Sequence, residues 1–385
     1  LEEDDPLRRG DRHVALAATV NAITTKRTAV AFIVLALLVT GWSYGHALTY
    51  PGNAPWADRT VSWVRDHGGS AVVNRAEQWF YTRHQPARTP PSAVQLPGMA
   101  APLAKSAPPV VHAPTTTTTI GLPAPTGDWQ PSPRTVHGVP VMYTTTFRPD
   151  ATHQGVVVGA AWMDTTLLKT TLVAGTREPG GSGWPWGAEV PPADRAGLVA
   201  AFNSGFRFRD IKGGFYAAGH TAVPLVTGDA SLVVRSDGTA TVGEWGRDMA
   251  MGPDVAAVRQ NLHLIVDGGQ PADGLATDAN GNFGTRKQQL QYTWRSGVGV
   301  DRTGALVYVA GKDLTLATLA SALVDVGAVR AMQLDIHTDM VTFNTYQPAA
   351  TGLGATGTKL LANMAQTADR YLVPDQRDFV AMTLR

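Results

Sequence analysis

The segment Met332-Gln333-Leu334-Asp335-Ile336-His337-Thr338-Asp339-Met340 sets two carboxylates and an imidazole at alternate positions. A strand sends alternate side chains to opposite faces. The spacing therefore predicts Gln333, Asp335, His337 and Asp339 on one face and Met332, Leu334, Ile336, Thr338 and Met340 on the other. Three readings fit. In acid/base chemistry, Asp335 or Asp339 holds His337 in one tautomer while the other carboxylate acts alone. As metal ligands, Asp335, His337 and Asp339 suit a divalent cation that prefers oxygen. The third reading is the solvated polar face of an edge strand, with no chemistry. Beyond Val341 the alternation changes phase, which predicts a bulge or turn near Asp339. The chain has no cysteine, so disulfides, thiolate nucleophiles and zinc–thiolate sites are excluded and this strand becomes the best place for chemistry. No cofactor follows with certainty, and a divalent metal is the one candidate.

Other residues could serve the same site. Asn203 follows the apolar, helix-like run Leu198–Phe202, which predicts a buried junction. Glycines and three cations follow it in Gly205-Phe206-Arg207-Phe208-Arg209 and Lys212-Gly213-Gly214, where backbone and Arg207 could approach an anion; a glycine-rich turn with solvated cations is the plainer reading. Asp267, in Ile265-Val266-Asp267-Gly268-Gly269, reads either as a ligand or as a turn residue. Arg295 precedes an apolar strand. The loop Gly180–Gly187 carries Trp184 and Trp186, which would either stack on a sugar ring or fold onto the core as a lid. Phosphate loops, dinucleotide fingerprints, HExxH and GxSxG are all missing, which argues against nucleotide enzymes, zincins and α/β-hydrolases.

Short β-rich runs must position these residues: Gly155–Met163, Ser231–Arg235, His263–Val266, Gly297–Asp301, Ala305–Ala310 and Ala331–His337. Leu316, Leu319 and Leu323 recur at helical spacing after Thr315, and Gly327 is a C-terminal stop. The strand Ala305–Ala310, this helix and the strand Ala331–His337 form a βαβ-like unit, predicting two parallel strands in one sheet and a site at the strand end. Thr356–Tyr371 reads as a second helix. The fold class is α+β, a mixed β-sheet with few helices.

That domain, 134–385, stands at the end of a longer plan. Of the 385 residues only 16% are charged, against roughly 25% in an average soluble domain. One cause is Thr28–Ala47, which has no charge and is about as long as a membrane-spanning helix. Lys26 and Arg27 precede it, so the tail 1–27 is expected in the cytoplasm and the rest outside the cell membrane, in a single pass through residues 28–47. The alternative is a removable signal peptide cut near Gly45-His46-Ala47. Residues 48–85 read as juxtamembrane amphipathic helices broken at Gly68-Gly69. Residues 86–133 hold 12 of the 26 prolines and the run Thr115–Thr119, the composition of an extended stalk. The net charge of +1 leaves no field to bind nucleic acid.

Several segments in order carry a family resemblance: AFNSGF (201–206), GGFY (213–216), LIVDGGQP (264–271), RSGVGVDRTGALVYVAG (295–311), LTLATLASALVDVGAV (314–329) and MQLD (332–335). The set resembles the phosphodiester glycosidase family. The resemblance covers roughly Leu198 to Tyr346 and implies hydrolysis of a glycosyl phosphodiester, with Asn203, Arg295 and Asp335 facing the site. Family members continue L-D-G-G-G-S, whereas this chain reads Leu334-Asp335-Ile336-His337-Thr338-Asp339. The site is thus either rebuilt around His337 and Asp339 or lost. On the first view Asp335 is nucleophile or base, His337 the acid, Asp339 its orienter and Arg295 the phosphate holder. On the second the domain binds a glycan or an assembly partner in the membrane. Expected partners are a cell-envelope glycan or glycosyl phosphate, the membrane and a membrane protein.

Overall fold

A computed structural model describes residues 6–50, 55–83, 86–89, 129–277, 281–284, 289–350 and 354–385. Nearly all of the proline-rich stretch 86–133 lies outside the described residues. The chain forms two compact units, one ending at Val73 and one running from Asn74 to Arg385.

The first unit is helical. Helix α1 (Pro6–Thr49) contains the stretch Arg27–Thr49, long and apolar enough to cross a membrane. Helix α2 (Trp56–Val64) packs beside its end, where Trp63 Nε1 donates to Ser43 Oγ at 3.0 Å and the Tyr44 and Trp63 rings meet edge to face. The break predicted at Gly68-Gly69 is real: Gly68 takes φ +86 before helix α3 (Ser70–Arg83) begins, and from Asn74 onward that helix belongs to the second unit.

The second unit is built from strands. They begin with β1 (Gln130–Pro131), β2 (Thr135–Val136), β3 (Val139–Pro140), β4 (Met142–Phe147), β5 (Val158–Met163), β6 (Leu168–Val173) and β7 (Leu198–Asn203). Next come β8 (Phe215–Ala217), β9 (His220–Val223), β10 (Ala230–Arg235), β11 (Ala240–Glu244), β12 (Val255–Gln260), β13 (Leu264–Asp267) and β14 (Gln270–Pro271). The last are β15 (Thr293–Val300), β16 (Leu306–Leu314), β17 (Arg330–Ile336), β18 (Phe343–Pro348), β19 (Ala355–Lys359) and β20 (Phe379–Leu384). One sheet runs β1-β4-β5-β16-β15-β17-β13-β14, a second β11-β10-β12-β8-β9 and a third β19-β18-β7-β20-β6, with β2 and β3 forming a ribbon.

The α+β class holds, with sheet dominant. Helix α4 (Leu316–Asp325) joins β16 to β17. Those two strands run the same way in one sheet, as the βαβ pattern predicts, but β15 lies between them and pairs antiparallel with both. The sheet is apolar on both faces. Along β16, Leu306, Tyr308 and Ala310 enter the core shared with the third sheet, and Val307 and Val309 pack under α4. Gly297 explains how close α4 comes, since a Cβ there would stand 2.8 Å from Leu323 Cδ1. Thr315 caps the helix by accepting from Thr318 N, and Gly327 ends it at φ +91. Thr315→Ala should cost about 1 kcal/mol, read in calorimetry as a thermal midpoint lowered by roughly 2–4 °C.

Two helical readings are corrected. Leu198–Phe202 is strand β7, paired with β18 and β20, because a short apolar run reads alike as buried helix or central strand. Thr356–Tyr371 is β19, turns and a short 3₁₀ segment at Arg370–Leu372. Its Leu361, Met364 and Tyr371 still fill the core, but from turns.

Candidate active site

The strand carrying Asp335 reaches the site with its alternation already broken. Arg295 pairs with Ile336 and Gly297 with Gln333, so Leu334 and Asp335 together face Ser296. The extra residue is a bulge at Leu334–Asp335, which shifts the phase of everything after it, and the turn expected near Asp339 follows at His337–Met340. His337 then takes φ +78, and the amides of Met340 and Val341 fold back to its carbonyl. Asp335 thus ends a strand while His337 and Asp339 lie in a turn, and the predicted single face of Gln333, Asp335, His337 and Asp339 does not form.

Asp335 is buried and firmly held. Its Oδ2 lies 2.7 Å from Arg377 Nη2, its Oδ1 accepts from Ile336 N at 2.9 Å, and its own amide donates to Ser204 O at 3.0 Å. Arg377 also donates to Gly205 O at 2.9 Å. Burial works against the Arg377 cation, but Asp335, Glu178 and Asp378 attract it more strongly and hold its pKa above the usual value. Beside it, Arg370 bonds Asp375 at 2.7 Å, Thr342 Oγ1 at 2.7 Å and Asp339 O at 3.3 Å. Asp339 therefore meets the site through its carbonyl. His337 has Thr293 Oγ1 3.2 Å from Nδ1 and Glu77 Oε2 3.7 Å from Nε2.

Asn203 is the buried junction expected of it. Its Nδ2 donates to Ser204 O and Ser296 Oγ, and its Oδ1 accepts from Tyr308 Oη and Thr342 N at 3.0 Å each. Ser296 Oγ passes the link on to Asp335 O at 3.0 Å. With these bonds Asn203 fixes the loops around Asp335.

The other sequence candidates point elsewhere. Arg295 is 1% exposed and gives its guanidinium to the carbonyls of Leu314 (2.8 Å) and Gln291 (3.2 Å). Burial pushes it down to about 9. Arg207 pairs with Asp210 at 2.7 Å. Asp267 pairs with Arg247 at 2.8 Å in an exposed ionic cluster with Asp248. The tryptophan loop is folded inward: Trp184 donates to Gly180 O and meets Phe215 edge to face, and Trp186 packs on the core. Among the described residues no three His, Asp or Glu side chains stand together as metal ligands would.

Sequence reasoning missed Arg370 and Arg377. The signal available was Asp375-Gln376-Arg377-Asp378, two acids bracketing a cation just ahead of an apolar strand. Gly175 offers a remote handle on it. A Cβ there would stand 2.4 Å from the Arg377 carbonyl carbon and 2.6 Å from its oxygen, backbone against side chain. Gly175→Ala must displace Arg377, and any turnover depending on its position should fall by about 100-fold in single-turnover kinetics.

Residues 196–355 match the phosphodiester glycosidase family model, nearly the span of the resemblance read from sequence. Among solved structures, the zebrafish N-acetylglucosamine-1-phosphodiester alpha-N-acetylglucosaminidase catalytic domain, auto-inhibited by its pro-peptide, is 15% identical. It aligns over 67% of this chain and 88% of its own, with a TM-score of 0.44. A hypothetical protein from Synechocystis is 11% identical over 68% of this chain and 64% of its own, with a TM-score of 0.38. An exported protein of Burkholderia pseudomallei is 13% identical over 60% of this chain and 74% of its own, with a TM-score of 0.35. No curated protein sequence matches the chain.

Proposed function

We propose that this chain, whose residues 196–355 match the phosphodiester glycosidase family model, is a membrane-anchored hydrolase that cleaves a sugar from a phosphodiester outside the cell membrane. The observation that carries the reading is Asp335: a buried carboxylate, 2.7 Å from a guanidinium, at the end of a central strand within the matched segment. Water adds across the bond between the anomeric carbon and the ester oxygen. The products are a free sugar and a phosphomonoester, with no redox change.

In this reading Asp335 is nucleophile or base toward the anomeric carbon. His337, held by Thr293, is the proton donor to the departing phosphate oxygen. Asp339 shapes the turn that carries His337. Arg370 and Asn203 hold the surrounding loops in place. The stretch Arg27–Thr49 supplies the anchor, with the basic tail inside, and the natural substrate is a cell-envelope glycan or glycosyl phosphate.

A second reading, a glycan-binding or assembly subunit without turnover, has one observation in its favour. Both Asp335 oxygens are engaged, one by Arg377 and one by Ile336 N, which is how a purely structural carboxylate would sit. The test is a panel of sugar 1-(methyl phosphate) diesters offered to the purified full-length protein in detergent. Release of free sugar is expected from at least one. No release from any, together with stable co-purification with another membrane protein, would favour the binding role.

A further inference from the structure

The ends of β7 and β20 concentrate polar side-chain atoms that have no hydrogen-bond partner among the described residues. The two strands pair antiparallel through Asn203 and Phe379. Continuing that register sets Ser204 beside Asp378 and Gly205 beside Arg377. The bond from Arg377 Nη2 to Gly205 O shows that the two segments stay together past the strands. In this short stretch Ser204 Oγ, Gln376 Nε2, Arg377 Nε and Asp378 Oδ1 are all shut away from solvent without a hydrogen-bond partner among the described residues. A buried polar atom left unpaired costs about 1–3 kcal/mol, and folds seldom leave several side by side. A polar occupant would satisfy them.

Its chemistry follows from the atoms. Arg377 Nε and Gln376 Nε2 only donate, Ser204 Oγ donates or accepts, and Asp378 Oδ1 only accepts. A guanidinium with further donors suits an anion, and a lone acceptor beside it suits a hydroxyl. A sugar phosphate carries both. Among the described residues another nitrogen of the same guanidinium, Arg377 Nη1, bonds the Met340 sulfur at 3.6 Å, a weak acceptor that a phosphate oxygen would readily replace.

We infer that the β7–β20 junction is an anion subsite, in which Arg377 and Ser204 hold the phosphate of a glycosyl phosphate and Asp378 accepts from a neighbouring hydroxyl. The inference rests on the hydrolase reading and deepens it. It gives the phosphate a holder in place of Arg295, whose guanidinium goes to main-chain carbonyls. It also places that holder on Asp335, because one guanidinium serves both. Arg377 lies outside the family segment 196–355.

The test uses inorganic phosphate with the full-length protein in detergent, by calorimetric titration and as an inhibitor of sugar release from a sugar 1-(methyl phosphate). Loss of a charge-assisted bond in Arg377→Gln should weaken phosphate binding about tenfold or more and raise KM more than it lowers kcat. Arg377→Lys should recover part of the loss. Because Arg377→Gln also breaks the ion pair with Asp335, Ser204→Ala is measured separately. It should weaken phosphate by about threefold to tenfold without lowering the thermal midpoint of the phosphate-free protein. Phosphate affinity unaltered in both variants, or no phosphate binding by the natural sequence, overturns the subsite. Binding that depends on Arg377 without hydrolysis of any diester keeps the subsite and defeats the hydrolase reading instead.

Discussion

Asp335→Asn is expected to lower kcat for sugar release by about 10²–10⁴-fold, the range for loss of a positioned catalytic group, with a much smaller change in KM. The substitution keeps the shape of the side chain. An amide oxygen can still accept from Arg377 Nη2 or Ile336 N, the two donors that meet the carboxylate now. What disappears is the charge that supports positive character at the anomeric carbon and the basicity that activates water. Stopped assays on detergent-purified protein would read the rate, and a thermal melt would report the cost of weakening a part-buried ion pair. If turnover survives at the natural level while the midpoint falls by several degrees, Asp335 is a structural anchor and the chemistry lies elsewhere.

The second large effect concerns the scaffold. Arg259 and Asp378 form an ion pair at 2.7 Å with both side chains fully buried. The same guanidinium donates to the carbonyls of Gln260 and Phe206 and lies 4.1 Å from the centroid of the Phe208 ring. The pair ties β12 of the second sheet to the segment leading into β20 of the third. Asp378→Ala would leave a buried cation without its counter-charge, at a cost of about 3–5 kcal/mol. For a domain of this size that corresponds to a midpoint lowered by roughly 6–20 °C. The paired replacement Arg259→Met with Asp378→Leu should be far milder, since exchanging a buried ion pair for apolar side chains of similar volume is often neutral. Calorimetry on the single and double variants measures the difference. A single variant as stable as the natural sequence would mean that water reaches Arg259.

Much of the scaffold could be read from residue order. β-branched and apolar runs bounded by turn residues located β5, β10, β13, β15, β16 and β17 to within a few residues, because burial on both faces demands unbroken apolar strands. The leucine spacing and Thr315 located α4, whose cap is a local bond between Thr315 and Thr318. The helix read over Thr356–Tyr371 failed for a tertiary reason. Five pairings with β18 make Ala355–Lys359 an edge strand, and a Cβ on Gly357 would stand 2.3 Å from Ala368 O. Leu360, Leu361 and Met364 have helical spacing by composition but fill the core from turns.

The candidate site divides in the same way. Residue order alone placed Asp335 at a strand end and Asn203 at a buried junction, because apolar flanks are local and survive folding. It could not place the bulge at Leu334–Asp335, which depends on how β17 registers against β15. That one-residue slip separates His337 and Asp339 from the face they share on paper. Nor could it choose the cation that meets Asp335. Arg295 precedes a strand in a family-like motif, yet its side chain runs to carbonyls at Leu314 and Gln291, while Arg377 arrives from the far end of the chain because β20 lies against β7. Composition and periodicity state which residues are buried. Which charge sits beside which is settled only when distant strands pair, since an ion pair acts over a few ångströms in space and leaves no period in the sequence.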